Sequence, residues 1–125
     1  MSHSVVWVDI PVIELDRAIT FYSGVLGRQV SKEGGPDFLF GLLPRADGEV
    51  SGCVYVSDGE NAPSKSGPLI YLNVVGRMDE AVQAVGRLGG QVLQEPVQIG
   101  PYGWRAIVID SEGNRIALHT PPTAA

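Results

Sequence analysis

The sequence predicts an α+β fold made of two tandem βαβββ modules, and three observations carry that prediction. The 125 residues are 44% hydrophobic, enough for a real core in one domain. The order strand–helix–strand–strand–strand can be read twice along the chain. The repeat is also visible residue by residue: Leu26-Gly27-Arg28-Gln29-Val30 falls on Leu88-Gly89-Gly90-Gln91-Val92, residue 26 onto residue 88, an offset of 62, and Val12 falls on Val74 at the same offset. Asp16-Arg17-Ala18 meets Asp79-Glu80-Ala81 with one inserted residue. A period of this length is too long for a solenoid and suits a duplicated module.

Val5 to Ile10 is β-rich and apolar apart from Asp9, and Pro11 is expected to close this strand because proline cannot donate to a ladder. Leu15, Ala18, Ile19, Tyr22 and Val25 recur at helical spacing, and Gly27 supplies the cap. Gln29–Glu33, Phe38–Leu43 and Val50–Ser57 read as three strands separated by Gly34-Gly35-Pro36 and Ala46-Asp47-Gly48 turns. After the polar connector Asp58–Pro68 the pattern restarts. Leu69–Val75 reads as a strand and Asp79–Leu88 as a helix stopped by Gly89-Gly90. Gln91–Gln94, Tyr102–Ile109 and Arg115–Thr120 read as strands, the last two joined by the turn Asp110-Ser111-Glu112-Gly113-Asn114. The connector and Pro96–Gly103 read as flexible segments able to gate an opening.

A formal net charge of −5, with no Lys/Arg cluster, argues against nucleic acid as a partner. No apolar run is long enough to cross a bilayer, and the opening residues lack the basic start and apolar core of a leader. The single Cys53 permits no intrachain disulfide and fits a reducing compartment, so cytoplasmic residence is expected.

Three segments, Ile10–Gly27 (IPVIELDRAITFYSGVLG), Tyr71–Val92 (YLNVVGRMDEAVQAVGRLGGQV) and Ala106–Thr120 (AIVIDSEGNRIALHT), resemble the vicinal-oxygen-chelate superfamily of glyoxalases, bleomycin-resistance proteins and dioxygenases, in its glyoxalase-related branch. The resemblance implies one domain over residues 1–125, with module one at about 5–57, connector 58–68 and module two at about 69–120. It also implies a curved mixed sheet around a cavity, and a homodimer. Metal-dependent relatives draw one His or Glu from the first and last strand of each module. Those positions here hold Trp7, Leu69, Ala117, and either Gly52 or Cys53. Of these only a cysteine thiolate can ligate a metal, so neither metal nor other cofactor is expected, and the family's metal chemistry is not carried over.

Alternation along the strands puts Trp7, Asp9, Cys53, Tyr55, Leu69, Tyr71, Ala117 and His119 on inward faces; Trp104 and Tyr102 contact a ligand if the flexible segments line the opening, or else pack over sheet edges. An apolar floor with a few polar groups is the usual make-up of a small-molecule pocket, although Trp7 and Leu69 can equally fill the vacated volume. Asp9 is a candidate base or ligand anchor, or else half of a structural pair. His119 is a polar group at the cavity mouth, or else a strand-end histidine bonded to backbone. Three functional readings follow: a metal-free binder of a small organic molecule; a lyase, isomerase or dioxygenase with a displaced metal or with Asp9 and His119 as acid and base; and a non-catalytic dimerisation module.

Overall fold

The computed structural model describes residues 3–122, so the first two residues of the opening and the last three of the chain lie outside the description. Its elements are β1 (Trp7–Val12), α1 (Leu15–Leu26), β2 (Ser31–Gly35), β3 (Phe38–Leu42), β4 (Ser51–Val56), β5 (Ile70–Asn73), α2 (Met78–Arg87), β6 (Gln91–Gln98), a 3-10 turn at Gly100–Tyr102, β7 (Trp104–Ile109) and β8 (Arg115–Thr120). The strands form two four-stranded sheets of the same topology, β1-β4-β3-β2 and β5-β8-β7-β6. In each sheet the module's first strand runs parallel to its last, and the other neighbours are antiparallel. These are the two βαβββ modules that the internal repeat predicts.

Each helix follows from its spacing. In α1 the buried residues Ala18, Phe21, Tyr22 and Val25 recur at i, i+3, i+4 and i+7. Gly27 ends it in the left-handed conformation, φ 72°, with its N–H donating to the Ser23 carbonyl. The helix ends with free carbonyls, and one of them, that of Val25, accepts from the guanidinium of Arg77 in the second module. In α2, Met78, Ala81, Ala84 and Val85 are buried. The two helices pack on each other, and one hydrophobic cluster runs through both modules, from Ile10 and Val12 through Phe21 and Val85 to Ile116 and Leu118.

β2 begins and ends two residues later than predicted, taking in Gly34 and Gly35, and β5 is shorter, Ile70–Asn73; two further edge strands run through a proline. β1 runs through Pro11, which pairs with Tyr55, instead of ending there. An edge strand has one unpaired side, where a missing N–H removes no ladder bond. β6 likewise continues past Pro96 to Gln98, with register shifts between Val92/Gln94 and Gln94/Val97. Most of Pro96–Gly103, expected as a flexible flap, is therefore strand and 3-10 turn. Residues 58–68 do form an irregular connector, tied down where the Ser64 N–H donates to Asn114 Oδ1 and the Ser64 carbonyl accepts from the Arg115 N–H.

The 110–114 turn does more than join β7 to β8: it clamps the second module onto the first. Tyr22 Oη donates to Asp110, and Asn114 Nδ2 donates to the Pro11 carbonyl at 2.7 Å. Burial, reinforced by the Asp110 carboxylate, pushes the Tyr22 hydroxyl well above its ordinary range, so it stays protonated as the donor. The buried Glu112 accepts from the N–H groups of Ile13 (2.9 Å) and Glu14 (2.8 Å) and from Arg17 Nε (2.7 Å) and Nη2 (2.9 Å). This one carboxylate satisfies backbone donors at the entry to α1.

Candidate functional site

The helices cover one face of each sheet, and strand alternation directs a second set of side chains to the open face. On the first sheet the register sets Trp7 beside Ser51, Asp9 beside Cys53, and Tyr55 beside Phe40. On the second, Tyr71 lies beside Ala117, Asn73 and Arg105 flank His119, and Ile107 lies between Ala117 and Gln94. β1 and β5 are edge strands of separate sheets, and a groove of about 740 Å³ is lined by residues of both, among them Trp7, Val8, Ile10, Leu69, Ile70 and Tyr71. A second, more open hollow of about 440 Å³ is lined by Tyr71, Ile99, Tyr102, Arg105 and His119.

The predicted site residues are thus divided. Trp7, Leu69 and Tyr71 line the groove, and Tyr71 and His119 line the smaller hollow. Asp9, Cys53 and Tyr55 share the open face of the first sheet but line neither cavity. Ala117 is fully buried in the second sheet. Trp104 is not at an opening: it pairs with Thr120, on the helix-covered face, and packs against the hydrophobic core. The reason is the alternation of β7, in which Arg105 and Ile107, not Trp104 and Ala106, face away from α2. Arg105 is the residue the sequence reading missed, and that alternation was the signal that could have found it.

Asp9 is exposed and hydrogen-bonded, not desolvated. Its Oδ1 accepts from Trp7 Nε1 at 2.7 Å and from Cys53 Sγ at 3.3 Å. Burial, then the Asp9 carboxylate, push the Cys53 thiol up to about 12. Cys53 is therefore expected to react with iodoacetamide at neutral pH far more slowly than a free thiol. Asp9→Asn removes one of the raising influences and should speed alkylation on the order of tenfold per unit of pKa recovered. An unchanged rate would show that Asp9 does not control the thiol.

His119 Nε2 lies 2.7 Å from the Tyr102 carbonyl. A carbonyl only accepts, so Nε2 carries the proton. Tyr71 meets the His119 ring edge to face at 6.0 Å, and Arg105 Nη1 donates to Tyr71 Oη at 2.7 Å. No hydrogen bond joins Asp9 to His119 among the described residues; the partners of each lie on its own module.

The four positions that the family resemblance would make metal ligands carry an indole (Trp7), two aliphatic side chains (Leu69 and Ala117) and, on the face shared with Asp9, the thiol of Cys53. Gly52, the alternative fourth position, pairs with Val8 and has no side-chain donor. Among the described residues no three His, Cys, Asp or Glu side chains converge as a ligand set. These residues do not fit a divalent cation.

A tandem βαβββ chain with open sheet faces and an inter-module groove defines a class. The chain belongs to the glyoxalase/bleomycin resistance protein/dioxygenase superfamily, whose family model matches residues 4–118. Its fold is shared with a glyoxalase/bleomycin resistance protein from Albidiferax ferrireducens, at 18% identity and TM-score 0.72, covering 96% of this chain and 100% of that one. A glyoxalase-related enzyme from Fulvimarina pelagi is similar at 17% identity and TM-score 0.65, covering 98% and 90%. A glyoxalase I mutant from Zea mays matches at 23% identity and TM-score 0.71, over 92% of this chain but 45% of that longer one. No curated protein matches the chain by sequence. No helix among the described residues is long and apolar enough to cross a membrane.

Proposed function

We propose that this protein is a metal-free member of its superfamily that binds a small organic molecule, acting as a homodimer in a reducing, cytoplasmic compartment. The observation that carries the reading is the groove of about 740 Å³ with Trp7, Leu69 and Tyr71 in its lining, a volume within the usual range for small-molecule sites. Its apolar strand residues with two aromatic rings suit a flat or hydrophobic ligand. The dimer is supported by the large apolar side chains left exposed on the open faces, among them Trp7, Phe38 and Tyr71. Absence of metal is supported by the donor set, in which Cys53 has Asp9 beside it but no third ligand converges among the described residues.

The test begins with the neutral fluorophore N-phenyl-1-naphthylamine. It should bind with enhanced, blue-shifted emission, and Trp7→Ala should weaken it about tenfold, as loss of an aromatic contact does. No enhancement, together with no thermal stabilisation by any member of a chemically varied ligand panel, would defeat the binding reading. Elemental analysis of untagged protein purified without chelator should find no stoichiometric transition metal. Finding one would overturn the metal-free assignment, and Cys53 and His119 would be the residues to mutate first.

A further inference from the structure

We infer that the open face of the second sheet is a carboxylate subsite, built on Arg105, Tyr71 and His119, so that the small molecule recognised here is a planar organic acid. The inference rests on the small-molecule reading above and specifies its substrate class.

Three buried side-chain polar atoms lack a hydrogen-bond partner among the described residues: Gln94 Oε1, Arg105 Nε and Arg115 Nε. Native proteins leave few such atoms, and each calls for an explanation. The register places all three residues on this one face, since Gln94 opposes Ile107, Arg105 opposes His119 and Arg115 opposes Ile109. None of those opposing residues is acidic, although the chain as a whole carries a formal charge of −5. Among the described residues neither Arg105 nor Arg115 forms an ion pair. A guanidinium that is partly desolvated and unpaired is poised for an anion, and its planar fork matches a carboxylate.

The surroundings of Arg105 favour this over a solvated surface charge. Its Nη1 is held by Tyr71 Oη at 2.7 Å, which orients the guanidinium and leaves Nε unused. His119 spends its Nε2–H on the Tyr102 carbonyl, so its ring lines the subsite as a wall and Arg105 and Tyr71 supply the donors. Tyr71, Tyr102 and His119 supply aromatic walls to the hollow of about 440 Å³, which has room for a single ring bearing an acid group. Tyr71 also lines the larger groove, so a longer acid can extend from one cavity into the other.

Benzoate and its uncharged isostere benzamide test the inference, by amide chemical-shift titration of the full chain. Benzoate should bind at least about tenfold more tightly than benzamide, the difference a charge-assisted pair makes. Its shifts should centre on Tyr71, Tyr102, Arg105 and His119. Arg105→Gln should abolish the preference while leaving the naphthylamine probe bound, and Arg105→Lys should restore only part of it, lacking the planar fork. If the two ligands bind equally, or Arg105→Gln keeps the preference, the carboxylate subsite is wrong; continued binding of the naphthylamine probe would leave the small-molecule reading standing. If neither benzoate nor that probe binds, both readings fall. Tyr71→Phe, which frees Arg105 without removing its charge, should weaken benzoate less than Arg105→Gln does; the reverse order would also overturn the assignment.

Discussion

Replacing Glu112 with Gln is expected to lower stability at pH 7 by about 3 kcal/mol. Burial alone would push the Glu112 carboxyl up. The hydrogen bond from Arg17, with those from the Glu14 N–H, Ser111 and the Ile13 N–H, outweighs burial and holds it down to about 2, against an ordinary 4.5. A depressed carboxyl pKa contributes stability that is present above the unfolded value and lost as pH falls through the folded one. The wild-type protein should therefore lose this contribution between about pH 4.5 and pH 2, and Glu112→Gln should lack that component of the acid transition. Urea unfolding of both proteins across that range is the measurement. Equal stability at pH 7, or parallel pH profiles, would show that the clamp on α1 is not held by this carboxylate.

Gly90→Ala is the second large effect, expected to destabilise by about 3 kcal/mol, against about 1 kcal/mol for Gly89→Ala. The two adjacent glycines have different roles. Gly89 adopts φ +97° in the turn after α2, where a Cβ would make only an ordinary contact with Ser111 at 3.9 Å. At Gly90 a Cβ would collide with the Ile109 carbonyl oxygen and come within 2.8 Å of Phe21 and 2.9 Å of Val85. It is the core, not the turn, that requires glycine there. Thermal unfolding of the two variants should preserve this order; a larger effect at Gly89 would refute the steric account.

That pair of glycines also marks how far a sequence can be read. Gly89-Gly90 announced the end of α2 because a helix stop is local chemistry, but the contact of Gly90 with Phe21 joins residues far apart in the chain. The same division holds at the site. Alternation singles out Trp7, Leu69 and Tyr71, but Val8 and Ile70 line the same groove from the opposite faces, because it follows the strand edges. Trp104, open to contact a ligand or to pack over a sheet edge, packs against the core, because a one-residue step turns a side chain to the opposite face of a sheet. Arg105 was passed over for that same reason. The turn 110–114 was recognised as a turn, whereas its grip on Ile13, Glu14, Arg17 and Tyr22 had no trace in local pattern.

The sequence by itself determined the two modules, the order of their elements and the Gly27 cap of the first helix. All of these depend on residue type and on spacing between near neighbours. Only the tertiary structure decided which faces stay open, that Cys53 and not Gly52 shares the face of Asp9, and that three buried side-chain polar atoms without a hydrogen-bond partner collect on the second sheet. Those facts depend on strand register and on contacts between distant segments, which arise only when the two modules pack against each other.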